Sequence, residues 1–399
     1  GVIEDGSSNS IVKDGTGKLV LSGMNTYNGT TTVSAGTLEL GQSEVLNDSS
    51  DVDVANSATF NLAGFTETID QLDGASGSSV TLGSGGTLTA GGGTFDGNIT
   101  GTGASELKVN DGGSGDTLTL SGTGNDFSTL DIQSGTVNLQ GDLANATDVN
   151  LATASSVFDL AGNDETIDKL DGTAGSVTLG NATLSLGLST DSSFSGDING
   201  NGGITLDAPT GSESLTLGGS NTYKGTTTIT KGTLISGAND VLDNDSDLNL
   251  SGGADSSFNL AGNTETTDQL DGASGSSVTL GSGGKLTADG GNFAGDITGT
   301  GASKLEVNDS GTGNTLTLSG TGNDFSALDI QSGTVTLPGD LANATDVNLA
   351  ATSSDFDLNG NDETIDQLDG VSGSSVTLGN GGQLTAKGGT FEGDITGDT

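Results

Sequence analysis

Aspartates spaced one or two apart in a polar loop can gather a hard cation. The stretch NDSSDVD places Asp48, Asp51 and Asp53 together, and DNDSD places Asp243, Asp245 and Asp247 at alternate positions. Calcium takes such carboxylate oxygens. A helix–loop–helix calcium loop also needs a glycine at its sharp turn and a bidentate glutamate at its end, and neither stands where it should. The calcium-binding nonapeptide repeat is not met either, since GGGTFDG around Asp96 follows it only in part. The expectation is a solvated acidic turn, with these six aspartates as weak calcium candidates and no cofactor.

A second acidic group could do acid–base work. Asp164, Glu165 and Asp168, and again Asp362, Glu363 and Asp366, lie in the phrase (D/T)ET(I/T)D(K/Q)LDG. Paired carboxyls hydrolyse glycosides when a cleft raises the pKa of one of them. Here the phrase comes four times over, no arginine is available to grip a uronate, and no long loop builds a cleft. These carboxyls are therefore expected on turns or the exterior, and no catalytic residue is assigned.

Composition removes most other chemistry. Cys, His, Trp and Arg are absent, so thiol nucleophiles, histidine bases and the usual zinc ligands go with them. Nine lysines face 53 acidic residues, a formal charge of -44. Such a surface repels a phosphate backbone or an anionic membrane. No apolar run approaches the ~18 residues of a membrane span, and residues 1–10 are too polar for a signal peptide. The chain begins and ends within repeat text, which suggests a segment of something larger. Its acidity and lack of cysteine suit an extracellular place.

What must position these residues is a repeat. FNLAGFTETIDQLDG starts at Phe60, and its relatives start at Phe158, Phe258 and Phe356, spacings of 98, 100 and 98. Four tandem units follow, over about residues 15–115, 116–213, 214–313 and 314–399. They alternate in type, so the longer period is about 198 residues. LSGTGNDFSTLDIQSGTV at Phe127 returns as LSGTGNDFSALDIQSGTV at Phe325. Phe or Tyr recurs at 27, 60, 95, 127, 158, 194, 223, 258, 293, 325, 356 and 391, and this series is expected to stack in a core.

Between the aromatics the apolar residues alternate with period two, as in Leu38 and Leu40 or Val278 and Leu280. Gly, Asn, Asp and Ser break these runs every three to five residues, and no helical periodicity persists. Roughly fifty short strands are too many for a sandwich or barrel. A β-solenoid absorbs them, each coil stacking on the last. The prediction is one all-β solenoid over residues 1–399, of about sixteen three-sided coils of ~25 residues. At ~4.8 Å per coil it would be ~75–80 Å long. Four sandwich domains of ~99 residues are the alternative; short strands and the lack of Trp speak against them.

The stretch GKLVLSGMNTYNGTTTVSAGTLELG, from Gly17 to Gly41, resembles the passenger-associated β-strand repeat of bacterial autotransporters. Leu19, Leu21, Ser22, Gly23, Asn25, Thr26, Tyr27, Gly29, Thr31, Val33, Gly36, Thr37 and Leu38 fall on the family pattern. The copy LTLGGSNTYKGTTTITKGTL matches through Leu215, Asn221, Tyr223, Gly225, Ile229 and Gly232 among others. The resemblance implies a right-handed parallel β-helix on the surface of a Gram-negative bacterium. The function expected is structural: a rigid acidic stalk or adhesin segment without enzymatic activity. Its partners would be a host or environmental surface, carbohydrate or sister molecules. End-to-end stacking into filaments and calcium-dependent adhesion are the alternatives. The runs TTTV and TTTI recur too sparsely for a regular threonine lattice.

Overall fold

A computed structural model describes residues 2–3, 9–113, 115–309 and 313–397. Among these residues every strand pairing is parallel, and the one helical element is a 3-10 turn at Gly253–Asp255. The fold is an all-β parallel solenoid of about 18 turns. The chain divides into two compact units, residues 1–187 with 193–202, and residues 188–192 with 203–399.

In the first unit, Thr37 is in register with Thr59 and Thr59 with Ser79. Val52 lies on Leu72, and Thr66 on Thr87. These three series are the three sides of the coil. In the second unit the same sides appear as Thr233 on Ser257, Leu248 on Leu270, and Thr264 on Lys285. Leu, Val and Ile point inward at alternate positions, and their outward neighbours are Thr, Ser, Asn and Asp.

The turns are shorter than the ~25 residues expected, so there are about eighteen rather than sixteen. The reason lies at the corners. Strands such as Thr129–Leu139 and Thr227–Ser236 run over two sides without a loop between them. In Thr129–Leu139, residues 129–132 pair with 148–151, and residues 135–138 pair with 156–159 on the next side. The bend is made at Gly135, where φ is +85°. An L side chain is strained there, and a Cβ would also sit 2.9 Å from the Asp116 carbonyl oxygen. Gly36, Gly232 and Gly333 hold the same place in the other copies of the G-T-(L/V) phrase, all with positive φ.

Eleven of the twelve aromatics in the series are buried, and Phe391 is half-buried. They fill the core but do not stack on one another as a column. Phe60 lies between Leu38 and Val80, and Phe258 between Leu234 and Val278. A narrow coil holds one ring per level when its neighbours are aliphatic.

Candidate functional site

The fourfold signature carries most of the polar chemistry, and nearly all of it faces the neighbouring turns. After each phenylalanine, Asn61, Asp159, Asn259 and Asp357 accept the amide two residues on, at 2.8–2.9 Å. These Asx turns let the chain reverse through a left-handed residue, Ala63, Ala161, Ala261 or Asn359. The aspartate of LDG reaches the next turn. Asp73, Asp171, Asp271 and Asp369 accept the backbone amides of Thr94, Ser193, Asn292 and Thr390 at 2.7–2.9 Å. The closing glycine is demanded by the core: a Cβ on Gly74 would meet the Phe95 ring at 2.4 Å, and one on Gly272 the Phe293 ring at the same distance.

The glutamate of the signature is the feature that the sequence reading misplaced. Glu67 and Glu265 are fully buried, and Glu165 and Glu363 are 6% exposed. None is on the exterior. Strand phase explains this, because Glu67 is two residues from Ile69 and shares its inward side. Each carboxylate accepts backbone amides from a loop in the preceding turn. Glu67 takes Val45 N at 2.8 Å and Leu46 N at 3.0 Å. Glu265 takes Val241 N at 3.3 Å and Leu242 N at 3.2 Å. Glu165 and Glu363 take Leu143 N and Leu341 N, both at 3.1 Å, and each also takes the amide of its own next residue.

The same loops are held from the other side by a buried asparagine. Asn25 Nδ2 donates to the Val45 carbonyl at 2.9 Å, and Asn221 Nδ2 to the Val241 carbonyl at 2.7 Å. Asn125 and Asn323 donate to Asp142 and Asp340, both at 3.0 Å. A three-level fastening results: asparagine in one turn, loop in the next, glutamate in the third. Burial pushes the Glu67 carboxyl up to about 8, against the pull of its two amide donors. Burial likewise raises Glu165 and Glu265 to about 7, and raises Glu363.

Tyr27 and Tyr223, the aromatics of the opening phrase, are fully buried. Their hydroxyls share hydrogen bonds with Thr31 Oγ1 at 2.8 Å and Thr227 Oγ1 at 2.6 Å. The middle threonine of each TTT run thus points inward. In the alternate units the ring is Phe127 or Phe325, and the facing position is Leu130 or Leu328. Hydroxyl and hydroxyl go together, and both are absent together.

The calcium candidates lie in and beside the fastened loops. Asp48 and Asp245 are exposed, Asp53 is exposed on its strand, and Asp51, Asp243 and Asp247 are half-buried. Asp243 Oδ1 accepts its own turn's Asp245 N at 2.9 Å, and Asp245 pairs with Lys224 at 2.7 Å. Asp53 lies in register with Asp73. Among the described residues no three acidic side chains are grouped to hold a metal ion. Asn221, Asp240, Leu242, Asp243, Asn244 and Asp245 line an open hollow of about 360 Å³. The former acid–base candidates are likewise spread apart. Glu165 is buried, Asp164 accepts Thr183 N at 2.7 Å, and the amide of Asp168 bonds the Thr147 carbonyl.

What remains for a partner is the outside of the coil. In the first unit one side carries two parallel columns, Thr37, Thr59, Ser79, Asn98 and Glu39, Asn61, Thr81, Thr100. In the second unit Thr233, Ser257, Ser277, Asp296 and Ile235, Asn259, Thr279, Thr298 repeat them. Hydroxyls and amides at a spacing of ~4.8 Å dominate this side, and in the first unit Lys18 lies in register with Thr37 and pairs with Glu39.

The passenger-associated-transport-repeat family matches residues 11–40 and 210–235, where Asn25, Tyr27 and Thr31 and their copies Asn221, Tyr223 and Thr227 make the contacts above. These two stretches are similar to the repeats of autotransporter passengers. A stretch of 317 residues, 73% of the chain, is 31% identical to the adhesin BmaC autotransporter of Brucella suis biovar 1 (strain 1330), and covers 9% of that protein. The chain thus spans a small part of the curated relative it matches. No solved structure matches it. Passenger sequence of this kind is secreted and stands at the cell surface of Gram-negative bacteria. For the passenger repeat, the family pattern now has a physical content: its asparagine holds a loop, and its tyrosine and threonine satisfy each other in the core.

Proposed function

We propose that the chain is a non-enzymatic adhesive stalk: an acidic, stiff solenoid that presents its polar sides to a host or environmental surface, to carbohydrate, or to sister molecules. One observation carries this reading. The signature's side chains that could do chemistry are largely spent on fastening one turn to the next, and the outward columns are left for contact. Stiffness then grows with the number of turns, since each turn buries its neighbours. The adhesin named among the comparisons supports the adhesive half.

The test uses beads coated with the purified chain, placed on mammalian cell layers and on carbohydrate films. Retention above that of beads carrying an unrelated acidic protein supports adhesion, and equal retention overturns it. Electron micrographs test the stalk. Straight discrete rods support it, long fibres favour end-to-end assembly, and flexible coils overturn rigidity.

A further inference from the structure

The fastening reaches further than three turns. Asn125 Oδ1 accepts the Ile99 amide of the turn before at 3.0 Å, and its Nδ2 donates to the Asp142 carbonyl of the turn after, also at 3.0 Å. Leu143, beside Asp142, donates to Glu165 one turn further on at 3.1 Å. The Thr147 hydroxyl of the same loop donates back to the Phe127 carbonyl at 2.9 Å. A line of side-chain bonds, its asparagine and glutamate buried, thus crosses four consecutive turns from Ile99 to Glu165. Ile297, Asn323, Asp340 with Leu341, and Glu363 make a second such line, with Thr345 on the Phe325 carbonyl. We propose that these lines are mechanical braces: when the stack is pulled by its ends, the turns that one line joins come away as a block and not singly.

A solenoid turn touches only the turns beside it, so a plain stack pulled by its ends peels one turn at a time. The lines change this. Loop 142–147 lies between the strands that end at Leu139 and begin at Asp148, and it keeps its shape through the bonds it makes with the turns on either side. Lifting the Glu165 turn removes the acceptor of the Leu143 amide and frees the loop. The freed loop carries Asp142 away from Asn125. Both bonds of Asn125 come from one planar amide group, so a group pulled off Asp142 turns away from Ile99 as well. Peeling that begins at either end of a line therefore runs through the whole of it.

Plain stretches alternate with braced ones. Residues 68–98 lie between Glu67 and Ile99, and residues 266–296 between Glu265 and Ile297, outside the lines. These stretches peel turn by turn. In the stalk proposed above, the braces stop fraying at an end from running on through the coil. That use rests on the stalk reading. The blocks follow from the coil alone, and a chain that adheres to nothing would still show them.

The experiment is single-molecule extension of the whole chain, held by its two ends. Register partners Leu130, Val149 and Leu170 are 19 and 21 residues apart, so one turn releases about 70 Å of chain at about 3.4 Å per residue. A braced block, residues 99–165 or 297–363, holds 67 residues and releases about 230 Å. The two longest steps are therefore expected at about 230 Å. Asn125→Ala removes two bonds of the first line at once and should replace one long step by short ones. Asn323→Ala should do the same to the other. Asn150→Ala also removes a bond between turns, to Asp131 at 2.7 Å, but lies outside the lines and should leave both long steps in place. Steps of about 70 Å throughout the unaltered chain, or long steps that survive Asn125→Ala and Asn323→Ala together, overturn the proposal. Native-state hydrogen exchange of the unaltered chain decides the matter should the variants not fold. The amides of Ile99, Leu143 and Thr166 should then share one opening constant, and constants that differ turn by turn overturn the brace.

Discussion

Gly74 lacks a side chain because the Phe95 ring fills the place where a Cβ would go. Gly74→Ala should therefore cost about 1–3 kcal/mol through overpacking. Gly17→Ala, where a Cβ meets nothing within 4 Å, should stay within about 0.5 kcal/mol. Thermal melts of the two variants check the contrast. The Tyr27–Thr31 pair allows a sharper test, because the chain contains its own control. Tyr27→Phe leaves the Thr31 hydroxyl in the core without its partner and should cost about 1–3 kcal/mol. Adding Thr31→Leu recreates the Phe127–Leu130 pair and should recover part of the loss. A double-mutant cycle reads the coupling, and strict additivity would deny it. At this scale the inward aliphatics and aromatics were legible from period two alone. The buried glutamates were legible in principle, since Glu67 is in phase with Ile69, but charge argues for the surface. Only the amides of Val45 and Leu46, brought over from another turn, reverse that argument.

A strand here is half of a contact and needs the turns above and below it. Alternation and turn residues gave the strands and the solenoid, because both are local. The number of turns came out low, because a corner can shrink to one glycine such as Gly135, and spacing alone does not tell a bent strand from two strands and a loop. The fastened loops were invisible for a different reason: asparagine, loop and glutamate are about twenty residues apart in sequence and meet only when the turns stack. Asn221→Ala removes the side-chain donor to the Val241 carbonyl, at a cost of about 0.5–1.5 kcal/mol. Limited proteolysis should then nick residues 238–247 first, whereas Asn244→Ala at the exposed tip should leave the digestion pattern unchanged. The same loop bears on calcium. With Asp243 in its own turn and Asp245 on Lys224, a chelator is expected to leave the melting temperature unmoved. A fall in that temperature would restore the metal reading for Asp243, Asp245 and Asp247.

Over the whole chain, charge opposes packing. Lysines answer few of the acids: pairs such as Lys18–Glu39 and Lys304–Asp329 remove local repulsion, but the formal charge is still -44. Stacking makes this worse than in a globular protein of equal charge, because register sets like residues on consecutive turns, about 4.8 Å apart. Asp53 on Asp73 is one such contact. Burial and the neighbours Asp70 and Asp73 raise the Asp51 carboxyl, and burial with Asp268 and Asp271 raises Asp247. At ~0.01 M salt the screening length is about 30 Å and spans several turns, whereas at ~0.1 M it is about 10 Å and spans two. Repulsion between turns should therefore weaken with ionic strength while the apolar core is unaffected. The melting temperature is expected to climb by several degrees between those two salt concentrations and then level off. Sodium and potassium should act alike, since the effect needs screening and not a site. A melting temperature that falls with salt would mean that the exposed lysine pairs, each worth about 0–1 kcal/mol, outweigh the acidic columns, and the stack would then be held by charge instead of in spite of it.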